Sequence, residues 1–166
     1  MTRVTQPIVV REVRPDEHAA LGELIVSAYH EVGETDASYF AELRDVAGRS
    51  AVVPVLVAVD SRGRLLGGVT YVPGPGPFLE GDFGQAAQLR MLAVAPEARG
   101  HGVGRTLVDA CLERARADGR PAMALFTRPL MTDAHRLYSS MGFERKKELD
   151  WEVEPGEWLL AYRMEL

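Results

Sequence analysis

The segment Leu92-Ala-Val-Ala-Pro-Glu-Ala-Arg-Gly-His-Gly-Val-Gly104 constrains this chain more than any other. It reads as a β-strand ending near Pro96, a glycine-rich turn, and a helix that opens at about Gly102. Glycines at 100, 102 and 104 permit positive φ and let a ligand approach the backbone closely. The helix behind them offers unpaired N–H groups and the positive end of its dipole. Together these features suit a diphosphate, and Arg99 and Arg105 flank the turn with charge-assisted donors. Two common nucleotide loops are excluded by spacing. A Walker A loop needs Gly-Lys-Ser/Thr after four intervening residues, and no lysine follows here. A dinucleotide fingerprint needs Gly-x-Gly-x-x-Gly behind a first strand, whereas this turn reads Gly-x-Gly-x-Gly behind a fourth.

The rest of the chain reads as alternating strands and helices. A strand is expected over residues 7–14. A helix follows Pro15-Asp16 with Leu21, Leu24, Ile25 and Ala28 on one stripe, and ends at Gly33. A further helix is expected from about Ala37 to Ala47. The apolar run 51–60, the turn Asp60–Arg64 and the strand Leu65–Val72 form a hairpin signal. Pro73-Gly-Pro-Gly-Pro77 and the residues up to Gly84 make a long loop, of a length that is usually functional. Leu89–Val94 is the next strand, and the helix after the glycine turn runs to about Asp118. Pro121–Thr127 (strand), Asp133–Met141 (helix), a strand from Phe143 and a last strand Trp158–Leu166 complete the order β-α-α-β-β-β-α-β-α-β-β. With 166 residues, this is a mixed α/β chain expected to form one domain, residues 1–166.

Bulk properties exclude several classes. Nineteen Lys and Arg against 24 Asp and Glu give a formal charge of −5, which argues against nucleic acid as the partner. No apolar run approaches the ~20 residues needed to cross a bilayer, and the start lacks a signal-peptide core. The single cysteine, Cys111, fits a reducing cytoplasm, and it falls on the apolar stripe of its helix as a buried inert thiol. His18 and His30 are helix residues with no ligand spacing, His101 lies in the glycine turn where its backbone matters more than its ring, and His135 reads as a surface residue of its helix, so no metal is expected.

Three segments together carry a resemblance. Arg99-Gly-His-Gly-Val-Gly104 is similar to the Arg/Gln-x-x-Gly-x-Gly/Ala signature of the GNAT superfamily, the Gcn5-related N-acetyltransferases. Leu89-Arg-Met-Leu92-Ala-Val94-Ala-Pro96 resembles that family's fourth strand, and Ala134-His-Arg-Leu-Tyr138-Ser-Ser-Met-Gly142-Phe143 resembles its A-x-x-L-Y-x-x-x-G-F segment. The resemblance implies a largely antiparallel mixed sheet with splayed fourth and fifth strands, flanked by about four helices. It implies acetyl-CoA as co-substrate, with the pantetheine arm paired to the strand Leu92-Ala93-Val94. The pyrophosphate would be wrapped by Arg99, Gly100, His101, Gly102, Val103, Gly104 and Arg105. Tyr138 is then the general acid that protonates the departing thiolate. The implied reaction is acetyl transfer to a primary amine, small or peptidic, by direct attack in a ternary complex. A non-catalytic acyl-CoA sensor or regulatory module would share the phosphate turn.

Two departures from the family pattern limit the carry-over. Many relatives have Asn three positions before Ala134, where this chain has Met131, with Thr132 or Asp133 as substitutes. Many place Glu near position 88, where this chain has Gln88 with Gln85 nearby, and glutamine cannot serve as a base. Glu80, Asp82, Glu31 and Glu34 are candidates for that role, as is a water wire. Trp151 and Trp158, with Pro155-Gly156 between them, predict a hairpin that packs, lines an acceptor cleft or forms a homodimer contact. Tyr71 and Phe78 are weaker candidates for the acceptor site.

Overall fold

The computed structural model describes residues 7–166, and its strands and helices follow the expected order with local differences. The chain groups into two compact units. One comprises the residues up to Thr70 with Met91–Ala110, the other Tyr71–Arg90 with Cys111–Leu166.

In the first unit, β1 (Val9–Glu12) pairs antiparallel with β2 (Val55–Val59), and β2 pairs antiparallel with β3 (Leu65–Val72). Every residue of β2 is buried, as its unbroken Val/Leu/Ala run requires. Pro54 lies just outside β2, where its missing N–H costs no ladder bond. Helix α1 (His18–Glu31) buries Leu21, Ile25 and Val26. It begins on a 3-10 turn over Pro15–Glu17, where Glu17 accepts from the Arg14 amide at 2.9 Å and takes a bidentate pair from Arg11.

The single helix expected over 37–47 is in fact two, α2 (Ala37–Arg44) and α3 (Val46–Ser50). Asp45 makes the break. Its backbone leaves the helical region (ψ 61°), and its carboxylate turns forward to accept from the Gly48 amide at 3.0 Å. A Cβ at Gly48 would lie 2.3 Å from that carboxylate, so the cap and the glycine require each other. Arg49 closes the corner from α3: it is almost fully buried and donates to the carbonyls of Glu42 and Leu43 at the end of α2.

In the second unit, which includes the Ala87–Arg90 half of β4, the strand order is β4-β5-β8-β6, with β7 attached to β8. These are β4 (Ala87–Val94), β5 (Ala122–Thr127), β6 (Glu144–Arg145), β7 (Trp151–Glu154) and β8 (Glu157–Glu165). β4 starts two residues earlier than the sequence suggested. Three strands, not two, follow α5 (Thr132–Ser140), because a 3-10 turn at Lys147–Leu149 separates β6 from β7. β5 pairs antiparallel with β8 along its whole length, Ala122↔Glu165 to Thr127↔Leu160. Its parallel ladder with β4 spans only Ala87↔Met123 and Gln88↔Ala124. That short ladder is the signature expected of fourth and fifth strands that part. The sheet is thus mixed and mostly antiparallel, flanked by helices. One face of the second unit's sheet packs Ala122, Ala124 and Ala161 with Phe83, Ala86 and Phe126.

Asp150 ties the 3-10 turn to the sheet. It accepts both terminal nitrogens of Arg145 (2.5 and 2.6 Å) and the Ala161 amide (2.9 Å). The Arg145 guanidinium, then the Ala161 amide, hold the Asp150 carboxyl below its ordinary range against an opposing desolvation effect. A carboxyl depressed in the folded state stabilises the fold above its unfolded pKa, near 3.9, and that contribution is lost as pH falls through the lower folded value. Asp150→Asn should therefore cost about 2–3 kcal/mol at pH 7. In parallel urea melts, the gap from the parent should close below about pH 4; a gap independent of pH would overturn the assignment.

Candidate active site

In the first unit the glycine turn takes the form its sequence requires. Gly100 (φ 77°) and Gly102 (φ 79°) are both left-handed, and a Cβ at either would meet nothing within 4 Å. The glycines are needed for backbone conformation, and they leave the turn bare on its open side. Helix α4 (Val103–Ala117) begins directly behind it. Val103 is buried and anchors the turn, whereas His101 is exposed and contributes its backbone. Thr106 fastens the first turn of α4, its amide and hydroxyl both donating to the Gly102 carbonyl (3.0 and 2.8 Å). The arrangement of exposed turn amides, helix N-terminus and flanking Arg99 and Arg105 suits a pyrophosphate.

Upstream, the strand that leads into this turn is held tightly. The Ala95 amide donates to the Leu66 carbonyl at 2.8 Å, and a Cβ on Gly67 would sit 2.6 Å from the Ala93 carbonyl. Only glycine fits there. Met91 is left-handed (φ 57°) in the middle of β4, an uncommon conformation for a non-glycine residue. It is the irregularity that precedes Leu92, Ala93 and Val94, and such strained residues concentrate at functional sites. Arg99 makes a bidentate pair with Glu31 at the end of α1 (2.8 and 2.7 Å). The Arg99 guanidinium holds the Glu31 carboxyl below its ordinary range.

In the second unit, Tyr138 on α5 is 4% exposed, whereas its neighbour Leu137 is only half-buried. Tyr138 packs edge-on against Phe143 (5.6 Å) and beside Tyr162 (6.1 Å). Its hydroxyl has no hydrogen-bond partner among the described residues. Burial pushes the phenol well above its ordinary value. His135, one turn earlier, stacks on Tyr162 at 5.9 Å, and its Nε2 meets the Arg128 carbonyl at 3.0 Å, so that nitrogen is the protonated one. It braces the β5–α5 connection. Met131 caps α5 with no side-chain hydrogen bond, and Asp133 is an exposed first-turn acid paired with Arg136.

The residues considered for the base are all engaged. Gln88 is fully buried and forms a two-way bond with the Glu80 backbone, its Oε1 accepting from the amide (2.9 Å) and its Nε2 donating to the carbonyl (3.0 Å). Arg90, also buried on the same strand face, meets the Glu80 carboxylate at 2.7 Å and donates to the Phe78 carbonyl at 2.9 Å. Phe78 is left-handed (φ 69°). Arg163 donates to the Phe83 carbonyl at 3.1 Å. The Pro/Gly loop is thus pinned by three side chains, none of which its own sequence advertises. Asp82 accepts from the Gly84 amide (3.3 Å), and buried Glu34 accepts from the Asp36 amide (3.2 Å). Tyr71, considered for the acceptor site, is instead buried and donates to Asp118 at 2.6 Å.

Cys111 is fully buried, and desolvation pushes its thiol up to about 12. Trp151 and Trp158 are half-exposed on the expected hairpin, and Trp151 meets Phe126 at 6.1 Å. Among the described residues no helix is long and apolar enough to cross a membrane.

Comparison with known proteins gives the family of the chain. The sequence profile of the acetyltransferase (GNAT) family matches residues 17–143, and the chain belongs to that family. Among curated relatives, N-acetyltransferase family 8 member 3 of Rattus norvegicus is 36% identical over 89 residues, 54% of this chain and 38% of its own length. Mycothiol acetyltransferase of Thermobispora bispora is 39% identical over 66 residues, 40% of this chain and 22% of its own. The chain thus spans well under half the length of either. Among solved structures, a Gcn5-related N-acetyltransferase from Kribbella flavida is 29% identical with a TM-score of 0.69, covering 96% of this chain and 98% of that one. A Salmonella typhimurium acetyltransferase solved with acetyl-CoA has a TM-score of 0.67 at 20% identity, covering 96% and 94%, and so shares the fold.

Proposed function

We propose that this chain is a single-domain, cytoplasmic N-acetyltransferase that moves an acetyl group from acetyl-CoA to a primary amine, small or peptidic, by direct attack in a ternary complex. The observation that carries the reading is the left-handed Gly100/Gly102 turn opening onto the N-terminus of α4, within a chain of the GNAT family. Turn amides from Arg99 to Arg105 bind the pyrophosphate, and Leu92, Ala93 and Val94 supply backbone partners for the pantetheine amides. Acetyl-CoA supplies the activated acyl group. Tyr138 holds a proton through neutral pH and gives it to the departing sulfur. With Gln88 unable to accept a proton and Glu80 committed to Arg90, the amine proton leaves through water.

A thermal-shift measurement tests donor binding first. Acetyl-CoA at 100 times its dissociation constant should stabilise the protein by about 2.7 kcal/mol, or roughly 5–11 °C at this size. No shift at saturation would sink the reading. Thiol release across a panel of primary amines then tests catalysis. A protein that binds acetyl-CoA yet releases thiol with none of them is a sensor instead.

A further inference from the structure

We propose that Tyr162 is a positioning residue for proton donation, its ring clamped by Arg145 and seated against both His135 and Tyr138 so that the Tyr138 phenol is held in one orientation; this rests on the reading of Tyr138 as the acid. Tyr162 is 6% exposed and lies in β8, opposite Leu125 of β5 and Arg145 of β6. Directly opposite residues on antiparallel strands project to the same side, and successive residues to opposite sides. Its ring therefore stands on the sheet face away from the cluster of Ala124, Ala161 and Phe126.

On that face α5 meets one β8 ring at two points. Tyr138 lies beside Tyr162 at 6.1 Å with the ring planes 49° apart, and His135 stacks on it at 5.9 Å and 28°. Residues three apart share a helix face, so the two contacts fix the rotation of α5 about its axis as well as its distance from the sheet. Phe143 cannot do this. It packs edge-on against Tyr138 at 5.6 Å, but its amide donates to the Tyr138 carbonyl at 3.0 Å, so the two rings belong to one local piece of chain.

Tyr162 is itself held. The Arg145 guanidinium lies 5.7 Å from the centre of its ring, within cation–π range. That guanidinium is fixed by both oxygens of Asp150 and by the Ala161 carbonyl at 3.2 Å, next to Tyr162 in the chain. Alanine and phenylalanine on the other face fill space without setting a direction, whereas stacked rings and a planar guanidinium specify one. Proton donation depends on direction, since about 1 Å of misplacement can cost about 10²-fold in rate.

A double-mutant cycle on kcat separates positioning from plain packing. Tyr162→Leu should lower kcat for amine acetylation about 10–100-fold, while KM for acetyl-CoA changes little. Tyr162→Phe keeps the ring and should keep the parent kcat. In a Tyr138→Phe background, Tyr162→Leu should lower kcat no further, because residues that act as one unit are not additive. His135→Gln retains an N–H for the Arg128 carbonyl and removes the stacked ring. It should cost about 3–10-fold in kcat, again only when Tyr138 is present, and it decides the matter if Tyr162→Leu does not fold. Parent kcat in a folded Tyr162→Leu, an equal loss with and without the Tyr138 hydroxyl, or a Tyr162→Phe as slow as Tyr162→Leu would each overturn the proposal. So would full activity of His135→Gln where Tyr162→Leu is unfolded. A Tyr138→Phe protein with undiminished kcat would instead overturn the acid reading itself.

Discussion

Tyr138→Phe should lower kcat for amine acetylation by about 10²–10⁴-fold, while the dissociation constant for acetyl-CoA and the melting temperature change little. Stability should hold because the phenol makes no hydrogen bond among the described residues, and the ring contacts with Phe143 and Tyr162 survive the substitution. The size of the kinetic effect rests on proton affinity. A thiolate leaving into water has a pKa near 8.5, against about 10 for a free phenol. Burial raises Tyr138 further, which alone would make proton donation uphill. Desolvation acts on sulfur in the same direction, as it does on the buried Cys111 thiol, which it pushes up to about 12. A sulfur expelled into comparably dry surroundings would rise together with the phenol, which narrows the gap that burial of the phenol alone would open. An acid with a raised pKa stays protonated as pH rises, so kcat should show no alkaline loss below about pH 10. Acyl donors with a more acidic thiol need no proton, and the Tyr138→Phe defect should shrink with them. Full activity of the variant with acetyl-CoA, or a defect equally large for every donor, would refute the assignment.

The turn and this helix were legible because each is encoded by residues a few positions apart. Glycines at 100 and 102 are demanded by local φ, and the Leu-Tyr-x-x-x-Gly-Phe run sets helix, stop and next strand within ten residues. The break at Asp45 was not legible, since Ala37–Ala47 keeps helical periodicity throughout and only the capping geometry of Asp45 over Gly48 divides it. Gln88 shows a different limit. In the sequence it is only a residue that cannot serve as a base, whereas its geometry makes it a brace for a loop eight residues away. Long-range polar partners of that kind leave no periodic trace. Nor does the stack around Tyr162, whose members come from α5, β6 and β8.

Arg49 is the other residue whose role only the fold discloses, and its loss should produce the largest stability effect. An arginine 1% exposed carries a desolvation penalty of several kcal/mol. It persists because its planar fork reaches two carbonyls at once, those of Glu42 and Leu43. Both lie in the last turn of α2, where carbonyls lack a full set of intrahelical donors, and that of Glu42 also receives the Asp45 amide. Each charge-assisted bond contributes about 1.5–3 kcal/mol, so two of them are comparable with the penalty, and removing the donors leaves the carbonyls short of partners. Arg49→Met keeps much of the stem and removes the donors, which should cost about 2–4 kcal/mol, lowering the melting temperature by roughly 4–16 °C. Arg49→Ala should cost a further 1–2 kcal/mol, approximately, for the cavity it leaves. Lysine should not rescue the fold, because one ammonium cannot match the bidentate geometry. If Arg49→Met melted within about 2 °C of the parent, the guanidinium would be a tolerated passenger and the corner between α2 and α3 would owe its stability to Leu43 and Val46.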